Sequence, residues 1–302
     1  MVDLLVIGDA NPDVIVGPLT EPLAFGQHEQ LVDAGVLTLG GSGAIMACGA
    51  ARLGLSVAIA GRVGDDAAGR FVRESLAERG VDTAALVTDD APTPLTVIIT
   101  RDGDRAMLTS GSWPSFVVPA ELLASSRHVH VASYFLLSSM AGSLPGLLAA
   151  ARRHGATTSL DTNDDPAGRW DVGSLLSEVD LLLPNANEAM RLAGAPTALA
   201  AASVLASRGP VVAVKDGAAG GFCHSDGNVL HSRGIVVSPV DAVGAGDSFD
   251  AGFVAAKLKG MSDQLALDVA AVCGALSTLS AGGTTSQPTW ADAMSYVEEK
   301  QA

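Results

Sequence analysis

Short β-branched runs alternate with Ala/Leu-rich stretches along most of this chain, and that rhythm limits the folds open to it. The runs at 4–7, 57–61, 128–132, 157–161, 181–183 and 211–215 predict strands, and the stretches at 43–53, 66–79, 143–154, 187–193 and 198–207 predict helices between them. Three further predicted helices, 245–258, 264–280 and 290–299, complete the C-terminal part. Repeated strand–helix alternation gives a mostly parallel sheet covered on both faces, with ligands beyond the carboxyl ends of the strands. Two sections, about 13–39 and 95–109, break the rhythm: they alternate like strands, as in Thr96-Val-Ile-Ile-Thr100, with no helix inside them. They predict a small separate sheet. No internal repeat or low-complexity linker divides the 302 residues, so a single α/β domain spanning 1–302 is expected.

Apolar residues make up 48% and charged residues 17%, which suits a close-packed globular enzyme and argues against disorder. A formal charge of −15 disfavours nucleic acid and anionic membranes as partners, because both need basic surface. Cys48, Cys223 and Cys273 are widely spaced and read as buried thiols in a reducing compartment. The chain opens on an apolar strand with no basic leader, so a cytoplasmic location is expected. The uncharged run 131–151 is long enough to span a bilayer, but Ser133, Ser138, Ser139, Gly142, Ser143 and Pro145 interrupt it. A strand, a loop and a buried helix are expected there instead. The chain has no Gly-x-x-x-x-Gly-Lys-Ser/Thr loop, no Gly-x-Ser-x-Gly elbow, no His/Cys cluster, and no Gly-x-Gly-x-x-Gly after the first strand. His128 and His130 alternate along a strand, a pattern of packing or solvent contact more than of ligands.

The most informative stretch runs from Asp241 to Phe253, Asp-Ala-Val-Gly-Ala-Gly-Asp-Ser-Phe-Asp-Ala-Gly-Phe. A strand-like run at 235–240 leads into it, and a helix is predicted from Ala245. The turn puts the amides of Gly244, Ala245 and Gly246 at a helix N-terminus, where free N–H groups and the macrodipole favour an anion. Asp247 lies in the first turn beside that pocket, either as helix-stabilising decoration or as a base for a hydroxyl attacking a phosphoryl group. This stretch resembles the C-terminal signature of the ribokinase-like (PfkB) carbohydrate kinases, Asp-Thr-x-Gly-Ala-Gly-Asp. The resemblance extends over nearly the whole chain.

It implies a three-layer α/β/α fold with a mostly parallel central sheet, the two irregular sections forming a β-sheet lid over the substrate and a contact for a homodimer. Gly8-Asp-Ala-Asn-Pro-Asp13 reads on its own as an Asx-rich turn. In the family it matches Gly-x-x-Asn-x-Asp, which makes Asn11 and Asp13 substrate ligands. Gly40 and Gly41 match the sugar loop, and Gly61, Gly64, Asp65 (or Asp66) and Gly69 the second half of that N-terminal signature. Ile45 departs from it, standing where the family usually has an Asn that touches the sugar; it offers an apolar wall instead, with Ser42 as a partial substitute. Asp161 and Asn163 fall near the transferred phosphate. Asn185 and Glu188 fit a helix-capping pair and also the family's Asn-x-x-Glu, which arranges Mg²⁺ and its waters around the nucleotide. Lys215, Gly217 and Gly220 form either a hairpin turn or the ATP wall, and Ala271 replaces an Asn near the adenine. Asp241, Val243, Ser277, Gly282 and Ser286 match a monovalent-cation site, K⁺ in many relatives.

These residues together predict an ATP- and Mg²⁺-dependent kinase acting on a primary hydroxyl of a small sugar, with a nucleoside as the alternative acceptor. A non-catalytic sugar- or nucleotide-binding regulator on the same scaffold is the reading from another class.

Overall fold

The computed structural model describes residues 2–102, 104–111 and 114–301. Its first sheet uses β1 (Val2–Ile7), while β2 (Asn11–Gly17) and β3 (Ala34–Gly40) leave for a second one. The chain returns through β4 (Val57–Gly64), β5 (Val81–Asp82) and β6 (Leu86–Asp89), then adds β7 (Leu95–Arg101) and β8 (Asp104–Ser110) to the second sheet. The remaining strands, β9 (Ser126–Val131), β10 (Thr157–Leu160), β11 (Leu181–Leu182), β12 (Val211–Lys215), β13 (Gly221–Ser225) and β14 (Asn228–Ser232), extend the first. Its order is β14-β13-β12-β11-β10-β9-β1-β4-β5, with β6 also on β4, and among the described strands only β13 runs against the rest, pairing antiparallel with β12 and β14.

The helices are α1 (Ser42–Arg52), α2 (Ala67–Glu78), α3 (Ala120–Ser125), α4 (Leu144–Arg153), α5 (Ala186–Ala193), α6 (Ala198–Ala206), α7 (Ala245–Leu258), α8 (Asp263–Ser277) and α9 (Trp290–Gln301). Alternate strand residues feed two cores, as the period of two requires. Leu4, Val6, Val57, Ile59 and Ala213 pack with α1, α2, α7, α8 and α9. Leu5, Ile7, Ala58, Val129, Val131 and Val212 pack with α3, α4, α5 and α6. The expected three layers are present, and for a parallel sheet the carboxyl ends of β1, β9, β10 and β12 are where ligands are expected.

The second, separate sheet has four strands in the order β3-β2-β7-β8. Its register aligns Thr38, Asp13, Thr96 and Thr109 across the strands as one polar rung. Further out, Val36, Leu37, Met107 and Leu108 are exposed.

Two expectations need correction. The β-branched run 235–240 forms no strand: it leaves β14 as irregular backbone with Val236 and Val240 exposed, because no neighbouring strand is there to pair with it. The helix expected at 264–280 ends at Ser277, where Thr278 and Leu279 close it. The run 131–151 divides into the end of β9, turns and most of α4, and among the described residues no single helix is long and apolar enough to cross a membrane. All three cysteines are buried, with burial pushing each thiol up to about 12.

Candidate active site

The turn before α7 is built from close approaches that only glycine allows. Gly244 has φ of +73°, and a Cβ there would lie 2.6 Å from Gly283 Cα and 2.9 Å from Ile45 Cγ2. No side chain caps α7; Ala245 N donates to Ala242 O at 3.4 Å, and the first-turn amides of Gly246 and Asp247 are left for a ligand. Asp247 is half-buried in that first turn. Burial, and next the charge of Asp161, raise its carboxyl to about 7 against the pull of Lys215. A carboxyl that ionises near neutrality beside free helix amides suits a general base.

On one side of Asp247 lies the proposed acceptor end. Asp9 caps α1, its Oδ1 accepting from Gly43 N at 3.0 Å and its Oδ2 from Ser42 N at 3.3 Å. Asn11 Nδ2 donates to Asp13 Oδ1 at 2.9 Å and to Thr96 Oγ1 at 3.2 Å, which ties the start of β2 to its neighbour β7 in the second sheet. Gly40 must lack a side chain, since its Cβ would lie 2.0 Å from Asp13 Cγ. Burial and then the neighbouring Asp9 push Asp13 up to about 7. Asn163, at φ +56°, donates to Ser42 Oγ at 2.8 Å and Ser133 Oγ at 3.2 Å. Ser42 is thus held by Asn163, and Gly40 and Gly41 run directly into it. Ile45 does not furnish the expected apolar wall. It is 3% exposed, wedged between Gly244 and Gly283, where a Cβ on Gly283 would meet Ile45 Cδ1 at 2.7 Å.

On the other side sits a charge cluster. Lys215 Nζ, at the end of β12, donates to Asp161 Oδ2 at 2.9 Å and Asp250 Oδ2 at 3.1 Å. Oxygens of Asp161, Asp247 and Asp250 lie within 4.8 Å of one another. Burial opposes ionisation of Asp161, but Lys215 beside it keeps that carboxyl below its usual range. Asn185 bridges to the backbone of Lys215. Asn185 and Glu188 form a full capping box at the start of α5: Asn185 Oδ1 accepts from Glu188 N at 3.0 Å, and Glu188 Oε2 from Asn185 N at 2.9 Å. The structural half of that expectation is therefore present. Burial and then the charge of Asp161 raise Glu188 to about 7.

Gly217 and Gly220 make the turn of the β12–β13 hairpin; at φ +91°, a Cβ on Gly220 would lie 2.2 Å from Ser232 O. Asp241 accepts from Val243 N at 2.9 Å and Gly282 N at 3.0 Å, drawing three of the five cation-site candidates together. Ser277 turns its hydroxyl back to Gly274 O within α8, and the carbonyl that meets the Asp241 amide is that of Thr278. Ser286 lies in the turn beyond Gly282, and Ala271 is buried on α8. His128 and His130 are buried beneath α7 and share Ser159 Oγ at 2.7 Å each, packing residues as their alternation suggested.

Comparison with known proteins identifies the family in which this arrangement occurs. Residues 1–290 match the pfkB family carbohydrate kinase domain. The chain belongs to that family. The ribokinase of Haemophilus influenzae is 29% identical over 98% of this chain and 98% of its own length. The fructokinase of Klebsiella pneumoniae is 32% identical over 82% of this chain and 88% of its own. The structure of Arabidopsis thaliana ribokinase complexed with ribose and ATP superposes with a TM-score of 0.86 and 25% identity, covering 98% of this chain and 99% of that one. This carbohydrate kinase is a phosphotransferase with an alcohol group as acceptor.

The sequence reading missed Asp250, Thr96, Thr109 and Ser133. For Asp250 a signal existed, because three residues after Asp247 lies on the same face of α7. The threonines had none short of the register of the second sheet.

Proposed function

We propose that this kinase transfers the terminal phosphate of ATP to a primary hydroxyl of a small sugar of the ribose or fructose type. Asp247 carries the reading: a carboxyl raised to about 7 at the uncapped start of α7. Asn11 and Asp13, with Gly40 and Gly41 clearing the space, hold neighbouring hydroxyls. Asp247 takes the proton of the attacking hydroxyl as its oxygen bonds to the γ-phosphorus. The amides at Gly244, Ala245 and Gly246 receive the charge that builds on the phosphoryl oxygens. Asn185, Lys215, Gly217 and Gly220 line the nucleotide side. Mg²⁺, when bound near Asn185 and Glu188, neutralises phosphate charge. The loops carrying Asp241, Val243, Ser277, Gly282 and Ser286 take a monovalent cation such as K⁺. The lid excludes water as a competing acceptor, and its exposed Val36, Leu37, Met107 and Leu108 meet a second copy in a homodimer.

The test is ADP formation with MgATP across pentoses, hexoses and nucleosides. One or more pentoses or hexoses should raise the rate far above background. Turnover confined to nucleosides reassigns the acceptor, and background rates throughout make the chain a non-catalytic binder.

A further inference from the structure

We propose that Asp250 is a positioning residue which, with Asp161, fixes the Lys215 ammonium against the anion turn so that it meets the γ-phosphate of the nucleotide. The inference rests on the ATP-dependent reading and extends it to a residue one helical turn inside α7. Asp247 and Asp250 are three residues apart and share a helix face, while Asp161 and Lys215 end β10 and β12 on the sheet below. The helix and the sheet thus each contribute one carboxylate to a single ammonium, at 3.1 and 2.9 Å.

That double grip matters because a lysine is otherwise a mobile point charge on a flexible stem. Here the Lys215 side chain is only 11% exposed. An ammonium has three protons, and the two carboxylates engage two of them. Its remaining direction is set by where the stem lies: Lys215 Cδ and Nζ are each 3.5 Å from the point a Cβ on Gly246 would occupy. Any larger residue at 246 would stand between the ammonium and the turn. The cation therefore borders the same small space as the free amides, where a phosphoryl oxygen would accept from both.

Asp250 is an unlikely residue to bury for packing alone. It is 1% exposed, its Oδ1 has no hydrogen-bond partner, and burial holds its carboxyl well above the usual range. It therefore serves Lys215 as an oxygen acceptor more than as a charge. An amide side chain supplies the same oxygen and should replace it, whereas a methyl group should not.

The readout is binding of a non-hydrolysable MgATP analogue against MgADP by calorimetry, because only the former carries the third phosphate. The wild-type protein is expected to bind both. Lys215→Met and Asp250→Ala should each weaken the analogue by about 10-fold or more through loss of a charge-assisted contact, with ADP changed by no more than about 2-fold. The double variant should be no weaker than Lys215→Met alone, and Asp250→Asn should retain the wild-type preference. If Asp250→Ala does not fold, Asp250→Ser, too short to reach Lys215, carries the same expectation. An Asp250 variant that loses thermal stability but keeps the analogue preference reduces the cluster to a structural ion pair and overturns the inference. Additive losses in the double variant overturn it too. A wild-type protein that binds neither nucleotide overturns the ATP reading along with it.

Discussion

Asp13 and Asp161 are both almost fully buried, at 5% and 4% exposure; Asp161 lies within 4.8 Å of Asp247, and Asp13 neighbours Asp9, whose charge also reaches Asp247. Asp13 has Asp9 for a neighbour and rises to about 7; Asp161 has Lys215 and falls below its usual range. Burial alone would raise both. The difference is one cation, and it divides the cleft into an uncompensated half and a compensated one. The uncompensated half welcomes hydroxyl donors, which satisfy a carboxylate without adding negative charge. The compensated half is equipped for a phosphate, whose oxygens need both the ammonium and the helix amides.

The largest effect should come from the residue between the halves. Asp247→Asn keeps the shape of the site and removes the base, so kcat should fall by about 10³-fold with the nucleotide still bound. Near-normal turnover would falsify the base assignment. Next in size, Asp13→Ala should raise the acceptor KM by about 10- to 100-fold and leave the Kd for nucleotide unchanged, since Asp13 contributes only to the acceptor half. Equal losses at both substrates would mean that the two halves are not separable.

The same contrast predicts how stability responds to pH. In the folded protein Asp13 is raised to about 7, above the ordinary aspartate value of 3.8. The folded protein therefore binds that proton more tightly, and its stability falls as pH rises from about 4 to 7, then levels off. Asp13→Asn removes the penalty. It should raise stability by about 1 to 4 kcal/mol at pH 8 and by little at pH 4, read from urea unfolding at both values. A gain of equal size at both pH values would locate the effect in packing instead of ionisation.

How much of this was readable in advance depends on sequence distance. The turn at Gly244–Gly246, its helix and Asp247 are contiguous, and there the pattern of glycines specified the structure. Asn11 and Asp13 were likewise placed by a short motif at the end of one strand. The Lys215–Asp250 contact was not readable, since it joins residues 35 apart on a strand and a helix that meet only when the layers stack. Ile45 shows a different limit. The motif gave its position correctly, but its direction is set by Gly244 and Gly283, whose missing side chains open the space it fills. At 235–240 the β-branched composition was right for a strand and the partner was lacking, because β propensity takes effect only against a neighbouring strand.

The smallest predicted effect separates two roles carried by one residue. Asn185 caps α5 and is also assigned to the nucleotide side, next to Lys215. Asn185→Ala should lose the cap, about 1 kcal/mol, which in a domain of this size lowers Tm by about 2 °C. Asn185→Ser keeps a capping oxygen while removing the amide group, so its Tm should stay near that of the wild type. If the residue serves only the helix, the Ser variant also keeps its affinity for MgATP. If it serves the phosphoryl half as well, both variants should weaken MgATP to a similar degree while only the Ala variant melts early. A parallel fall of Tm and affinity across both variants would tie the two functions to the cap alone and remove Asn185 from the nucleotide site.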